Sequence, residues 1–213
     1  MLVIFDVDGV ILDSMGYCNN ISERYLLKNN ITPEKNLADK MFSMSFQEGS
    51  EYVAKNYPID KSAVTIKKEI LKDLEDYYFN EVLLKDGAID VLEFFKNKNI
   101  EMIIATSTDK YLVEEAFKRL GVRNYFKKIY SPDVLEIPKS STKFLGTILD
   151  DFKTLGNDAI LFEDGLYSIK NANKLSIKTI GVYDETSKKD VDKLKEESDL
   201  FLKNLREYRG EFI

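Results

Sequence analysis

Val3-Ile4-Phe5 is a short apolar run that stops abruptly at Asp6-Val7-Asp8-Gly9-Val10. An unbroken run of β-branched and aromatic residues suits a strand buried on both faces, as in a parallel sheet. Acids at its end then belong at the sheet's carboxyl edge, where open α/β sheets keep their ligand sites. Asp6 and Asp8 would share one side of the strand if the chain stayed extended. If it turns after Asp6, one acid can face a substrate while the other flanks it. Gly9 permits such a turn and lets backbone approach a ligand closely. Two acids packed against a buried strand must be neutralised. A divalent cation bound through oxygen does this, and Mg²⁺ typically takes one or two carboxylates plus a substrate phosphate.

The rest of the chain alternates around one interruption. Residues 2–6 read as a strand, and from about 15 to 82 the spacing is helical throughout. Thr32-Pro33 reads as a helix start, and Ser45 with Glu48 as a capping box. Residues 60–82 carry an apolar stripe of Val64, Ile70, Leu71, Leu74 and Tyr78. After Asp86-Gly87-Ala88, a plausible hinge, helices and strands alternate to the end. The expected architecture is α/β: a Rossmann-like, doubly wound, mostly parallel sheet with an inserted helical domain. The expected boundaries are 1–14 and 83–213 for the core and 15–82 for the insert.

Composition narrows the chemistry. The 213 residues contain no histidine and a single cysteine, Cys18. Ser-His-Asp and Cys-His catalysis, histidine-bound zinc and an intrachain disulfide are therefore excluded. Acid–base work falls to Asp, Glu, Lys, Tyr or Cys18. A net charge of −6 argues against a general nucleic-acid binder. No membrane-length apolar run and no basic leader are visible, so a cytoplasmic location is expected.

Two later strand ends carry suitable groups. One reads Ile103-Ile104-Ala105-Thr106-Ser107-Thr108, with hydroxyls able to bind a phosphate oxygen; Thr106 or Ser107 could serve. The other reads Ala159-Ile160-Leu161-Phe162-Glu163-Asp164-Gly165, ending in two acids.

Together with Asp6-Val7-Asp8-Gly9-Val10 and Leu12-Asp13-Ser14, these segments resemble the haloacid dehalogenase superfamily in its phosphatase branch. The likeness runs from residue 3 to 182. It makes Lys139 the phosphate lysine, with Lys143 as the alternate, although the family's flanking prolines are missing around Ile137-Pro138-Lys139-Ser140. It implies Mg²⁺ held by Asp6, the Asp8 backbone carbonyl and Asp164, with Glu163 as a further ligand. Asp6 would attack phosphorus and form an aspartyl-phosphate. Asp8 would protonate the leaving oxygen and later activate water. Thr106, Ser107, Lys139 and backbone near Gly9 would bind the transferring oxygens. The insert resembles the family's small cap, with Ser14, Met15, Tyr17 and residues 43–48 as candidate readers of the leaving group.

The implied activity is hydrolysis of a small phosphorylated metabolite, such as a sugar phosphate or a phosphoglycolate-like ester, by a monomer or small homo-oligomer. Nucleic-acid and membrane partners are not expected. A phosphomutase of the β-phosphoglucomutase type shares these motifs, but resembling enzymes use a cap histidine that this chain lacks. A non-catalytic phosphate-binding or regulatory protein is the alternative of another class.

Overall fold

The computed structural model describes residues 1–41 and 44–213. The chain divides into two compact units, Met1–Ser14 with Val82–Ile213, and Met15–Glu81.

The first unit is built on six parallel strands: β1 (Leu2–Phe5), β2 (Glu101–Ala105), β3 (Ile129–Tyr130), β4 (Ala159–Glu163), β5 (Lys178–Val182) and β6 (Leu200–Leu202). Their order is β3-β2-β1-β4-β5-β6. The chain leaves β1 toward β2 and β3, then returns to β4 on the other side. This reversal is the topological switch point at which such sheets open a crevice beyond their carboxyl ends.

Between β1 and β2 the second unit supplies α1 (Met15–Cys18), α2 (Ile21–Lys28), α3 (Leu37–Met41), α4 (Phe46–Asn56) and α5 (Ala63–Asn80). The first unit adds α6 (Ala88–Asn97) before β2 and α7 (Lys110–Arg119) after it. It then adds α8 (Pro132–Leu135), α9 (Thr142–Asp151), α10 (Leu166–Lys174) and α11 (Val191–Glu197). No described helix is long and apolar enough to cross a membrane.

β1 has no solvent-facing side, which explains its continuous apolar sequence. Leu2 and Ile4 pack into a cluster with Ile103, Tyr130, Phe144 and Leu161. Phe5 stacks on Phe162 at 4.7 Å between ring centroids and meets Phe95 and Phe126 edge-on. This buried aromatic group fixes the last residue before Asp6.

The helical unit departs from its sequence pattern in places. The Ser45–Glu48 capping box forms and opens α4. No helix starts at Thr32-Pro33; α3 begins only after Asn36, which takes a φ of 62°. The Glu34 backbone N–H instead donates to the Tyr57 hydroxyl, a local alternative to helix. In α5, Ser62 is the cap and Ile66, Ile70, Leu74 and Tyr78 are buried, whereas Val64 and Leu71 are exposed. Ser43, a proposed substrate reader, lies outside the described residues.

Gly87 is not a loose hinge. Its φ is +82°, and a Cβ there would stand 2.6 Å from the Arg206 backbone nitrogen. Asp86 beside it is paired with Arg206 at 2.8 Å. Gly87→Ala should therefore cost about 1–3 kcal/mol for the left-handed conformation alone, with the steric conflict added. Thermal unfolding checks this, and an unchanged or higher Tm would contradict it.

Candidate active site

β1 ends at Phe5, and the Asp6 N–H donates to the Phe162 carbonyl at 3.0 Å, aligning Asp6 with the end of β4. The backbone then turns sharply. The N–H groups of Val10, Ile11 and Leu12 all donate to the Val7 carbonyl, and Gly9 takes a φ of 79°. The two acids consequently do not share one side of an extended strand. Asp6 is buried, while Asp8 is partly exposed.

Around Asp6 the first unit assembles a buried ion cluster. Lys139 enters from the loop between α8 and α9 with 3% of its surface exposed. Its Nζ lies 2.7 Å from Asp6 Oδ1 and 2.8 Å from Glu163 Oε2. Glu163 Oε1 accepts the Gly165 N–H at 2.9 Å. Asp164 is also buried, and Ser187 donates to its Oδ2 at 3.3 Å. Lys143 is exposed on α9 and does not join this group.

The charges are unevenly matched. Burial, then repulsion from Glu163, holds the Asp6 carboxyl well above the carboxylate range, against the pull of Lys139. Burial and Glu163 do the same to Asp164. Burial alone would lower the Lys139 ammonium, but Asp6 and Glu163 override it and keep it protonated well above its usual range. Burial also opposes ionisation of Glu163, yet the adjacent Lys139 holds it below its ordinary value.

Asp8 has a separate set of partners. Ser14 donates to its Oδ1 at 2.5 Å and Thr108 to its Oδ2 at 2.6 Å. Thr106 is fully buried at the end of β2, and its Oγ1 accepts the Thr108 N–H at 3.0 Å. Thr108 thus braces Asp8, and the residue at the N-cap position of α7 is Asp109. Ser107 is exposed, and its hydroxyl lies 3.3 Å from that of Tyr167.

Sequence reasoning missed the supports. Lys85 Nζ donates to the Gly9 carbonyl at 2.5 Å, the Tyr183 carbonyl at 2.8 Å and Asp184 Oδ2 at 2.8 Å. It ties the Gly9 turn to the end of β5. Asn171 on α10 donates to the Ser140 carbonyl at 2.7 Å and accepts from Thr142 at 2.9 Å, bracing the Lys139 loop. Neither residue carries a local pattern that marks it, because each acts on chain distant in sequence.

Asp6, Glu163 and Asp164 each bring a carboxylate oxygen within 4.8 Å of the others. The donors are hard oxygens, and the three acids outnumber the Lys139 ammonium. Such a set fits a hard divalent cation such as Mg²⁺. The Asp8 carboxylate lies outside this trio and is taken up by Ser14 and Thr108.

The sequence profile of haloacid dehalogenase-like hydrolases matches residues 3–182, which include every residue of this site but Tyr183, Asp184 and Ser187. The chain is a haloacid dehalogenase-like hydrolase. A curated relative, the phosphorylated carbohydrates phosphatase of Thermotoga maritima, is 25% identical over 179 residues, covering 84% of this chain and 82% of its own length. A Thermotoga maritima structure provisionally named β-phosphoglucomutase superposes with a TM-score of 0.81 at 21% identity, over 97% of this chain and 95% of that one. The CbbY protein of Rhodobacter sphaeroides, solved with xylulose-1,5-bisphosphate, gives 0.75 at 17% identity over the same shares. These two structures establish the Rossmann-like fold of the family for this hydrolase.

A pH-dependent response to cation follows from the electrostatics. Without a cation, Asp6 and Asp164 titrate above their unfolded values in the native state. Their contribution to stability is then full below the unfolded carboxylate pKa and is lost as pH rises through the raised native values. A bound divalent cation needs these groups deprotonated, so its stabilisation should grow with pH. At a hundredfold excess over its Kd it adds about 2.7 kcal/mol, or roughly 5–10 °C in Tm for a chain of this size. Thermal melts with Mg²⁺ and with EDTA at about pH 5 and about pH 8 measure this; an equal or larger shift at the acid pH would refute it.

Proposed function

We propose that this hydrolase cleaves phosphomonoesters of small phosphorylated metabolites, with sugar phosphates as the first substrate class to test. The observation that carries the reading is the buried Lys139 ammonium placed between Asp6 and Glu163 at the end of β1. Its proximity to a carboxylate nucleophile offsets the repulsion a phosphoryl group would meet. Two unit charges about 4 Å apart interact by about 4 kcal/mol at an effective dielectric of about 20. The curated phosphatase relative supports the substrate class.

In this reading the Asp6 carboxylate attacks phosphorus and carries the phosphoryl group as an aspartyl-phosphate. Asp8, oriented by Ser14 and Thr108, gives a proton to the leaving oxygen and takes one from the water that hydrolyses the acyl phosphate. Thr106, Ser107, Lys139 and the Gly9 turn bind the transferring oxygens. Asp6, Asp164 and backbone at Asp8 would hold Mg²⁺, with Glu163 divided between that role and Lys139. When bound, the cation supplies charge stabilisation to the phosphoryl oxygens.

The helical unit Met15–Glu81 is assigned the role of a cap that reads the leaving group. Substitutions at Phe46 or Gln47 should then reorder esters of different size, whereas substitution of Lys139 slows all of them.

The test is orthophosphate release from a panel of phosphorylated sugars and short phosphoesters, with Mg²⁺ and with EDTA. Release above the EDTA control supports the reading. No release from any ester would overturn it, and isomerisation of a hexose 1-phosphate faster than its hydrolysis would replace it with the mutase.

A further inference from the structure

Ser107 follows β2, and Tyr167 lies in the first turn of α10 after β4. β2 and β4 are the two neighbours of β1 in the sheet. Adjacent strands lie about 4.8 Å apart, so a contact between these two loops spans about 10 Å and passes over the end of β1. That end is Asp6. A long side chain is needed to close the gap, and tyrosine provides one with a polar tip.

The ring is held in place from the β4 side. A Cβ on Gly165 would stand 3.1 Å from Tyr167 Cε1 and 3.1 Å from Glu163 Oε1. The absence of a side chain at Gly165 is what lets the ring lie back beside the ion cluster. Tyr167 remains 45% exposed, so part of the ring faces solvent. Its hydroxyl end is more enclosed: burial first, and Glu163 and Asp6 next among the raising influences, push the phenol up to about 12 against the pull of Lys139. It is therefore a neutral donor at physiological pH. The Ser107–Tyr167 separation of 3.3 Å is long for a hydroxyl pair, which prefers about 2.7–2.8 Å. Such a contact is readily exchanged for a better acceptor.

We propose that Tyr167 is a substrate-binding residue: in the loaded site its phenol and the Ser107 hydroxyl give up their shared contact and both donate to one phosphoryl oxygen. This rests on the phosphomonoesterase reading above. It assigns a second function to the pair, because the same contact stretches across the nucleophile when no substrate is present.

The test combines steady-state kinetics with calorimetric binding of orthophosphate in Mg²⁺ buffer. The full chain is used as wild type, Tyr167→Phe, Ser107→Ala and the double variant. Phenylalanine keeps the ring against Gly165 and removes only the hydroxyl. In Tyr167→Phe, KM and the orthophosphate Kd should rise together by about tenfold, as for one lost hydrogen bond. The factor should be the same for small and large esters, with kcat changed by less than about threefold. The double variant should lose less than the product of the single losses. Unchanged KM and unchanged orthophosphate affinity in Tyr167→Phe would overturn the proposal. So would a KM effect that varies between esters while orthophosphate affinity stays constant, since that would place the phenol on the leaving group. A wild type that hydrolyses no ester, yet loses orthophosphate affinity on Tyr167→Phe, would remove the phosphatase reading and leave this contact standing.

Discussion

Asp6→Asn is expected to abolish turnover, by about 10⁴-fold or more, in a protein that stays folded. The amide has the shape of the carboxylate, so its oxygen can still accept the Val7 N–H now bound at 2.7 Å. Lys139 keeps Glu163 as a partner at 2.8 Å. The substitution also removes a charge that burial and Glu163 already disfavour. Tm measured without cation should therefore stay level or rise while the rate collapses, because an amide does not attack phosphorus. Mass spectrometry must confirm that the asparagine has not reverted by deamidation. A folded variant with near-normal phosphate release would end the assignment of Asp6 as nucleophile.

Lys139→Met should lose both activity and stability. Removing the ammonium leaves Asp6, Glu163 and Asp164 buried together, and breaking a buried pair in this way typically costs about 3–5 kcal/mol. For a chain of this length that corresponds to a fall of about 10 °C in Tm. The loss should depend on pH. With Lys139 gone, Glu163 loses the largest influence that holds it low, and the native pKa of each acid rises further. Groups raised in this way contribute stability below the unfolded carboxylate range and lose it as pH increases. The variant should be nearest to wild type in acid and furthest from it near neutrality, in EDTA. Equal melting of the two proteins at neutral pH would show that the acids are neutralised by another route.

The parts of this molecule that local patterns encode were legible in its sequence. The buried strand Leu2–Phe5 and its terminal acid follow from one apolar run, and the parallel sheet follows from alternation of strand and helix. The Ser45–Glu48 box is a four-residue signal with its own hydrogen bonds. Thr32-Pro33 misled because a cap and a proline permit a helix without requiring one, and Glu34 finds its partners elsewhere. Val64 and Leu71 misled because an apolar residue on an 18-residue helix needs a neighbour to bury it, and the neighbour determines the face. Within the site, Asp6, Glu163, Asp164 and Thr106 were visible as strand ends. Lys139 was visible only through resemblance. Lys85, Tyr167 and Asn171 were not singled out at all, and the contact made by Thr108 was not foreseen, because their partners lie across the fold. Thr108 meets Asp8, a hundred residues earlier in the chain.

The position of β1 at the centre of the sheet has a consequence for biosynthesis. Leu2 pairs with Glu101 on one side and with Ala159 on the other. At about 5–20 residues per second, a ribosome takes on the order of ten seconds to travel from the first of these residues to the last. For that time the strand that will carry the nucleophile is an apolar segment with one or both edges open, which is the kind of sequence that nascent chains aggregate through. The helices of Met15–Glu81 contact one another and can condense in the meantime. Translation speed and chaperone supply during that interval should therefore govern the soluble yield of this enzyme more than the stability of its finished fold.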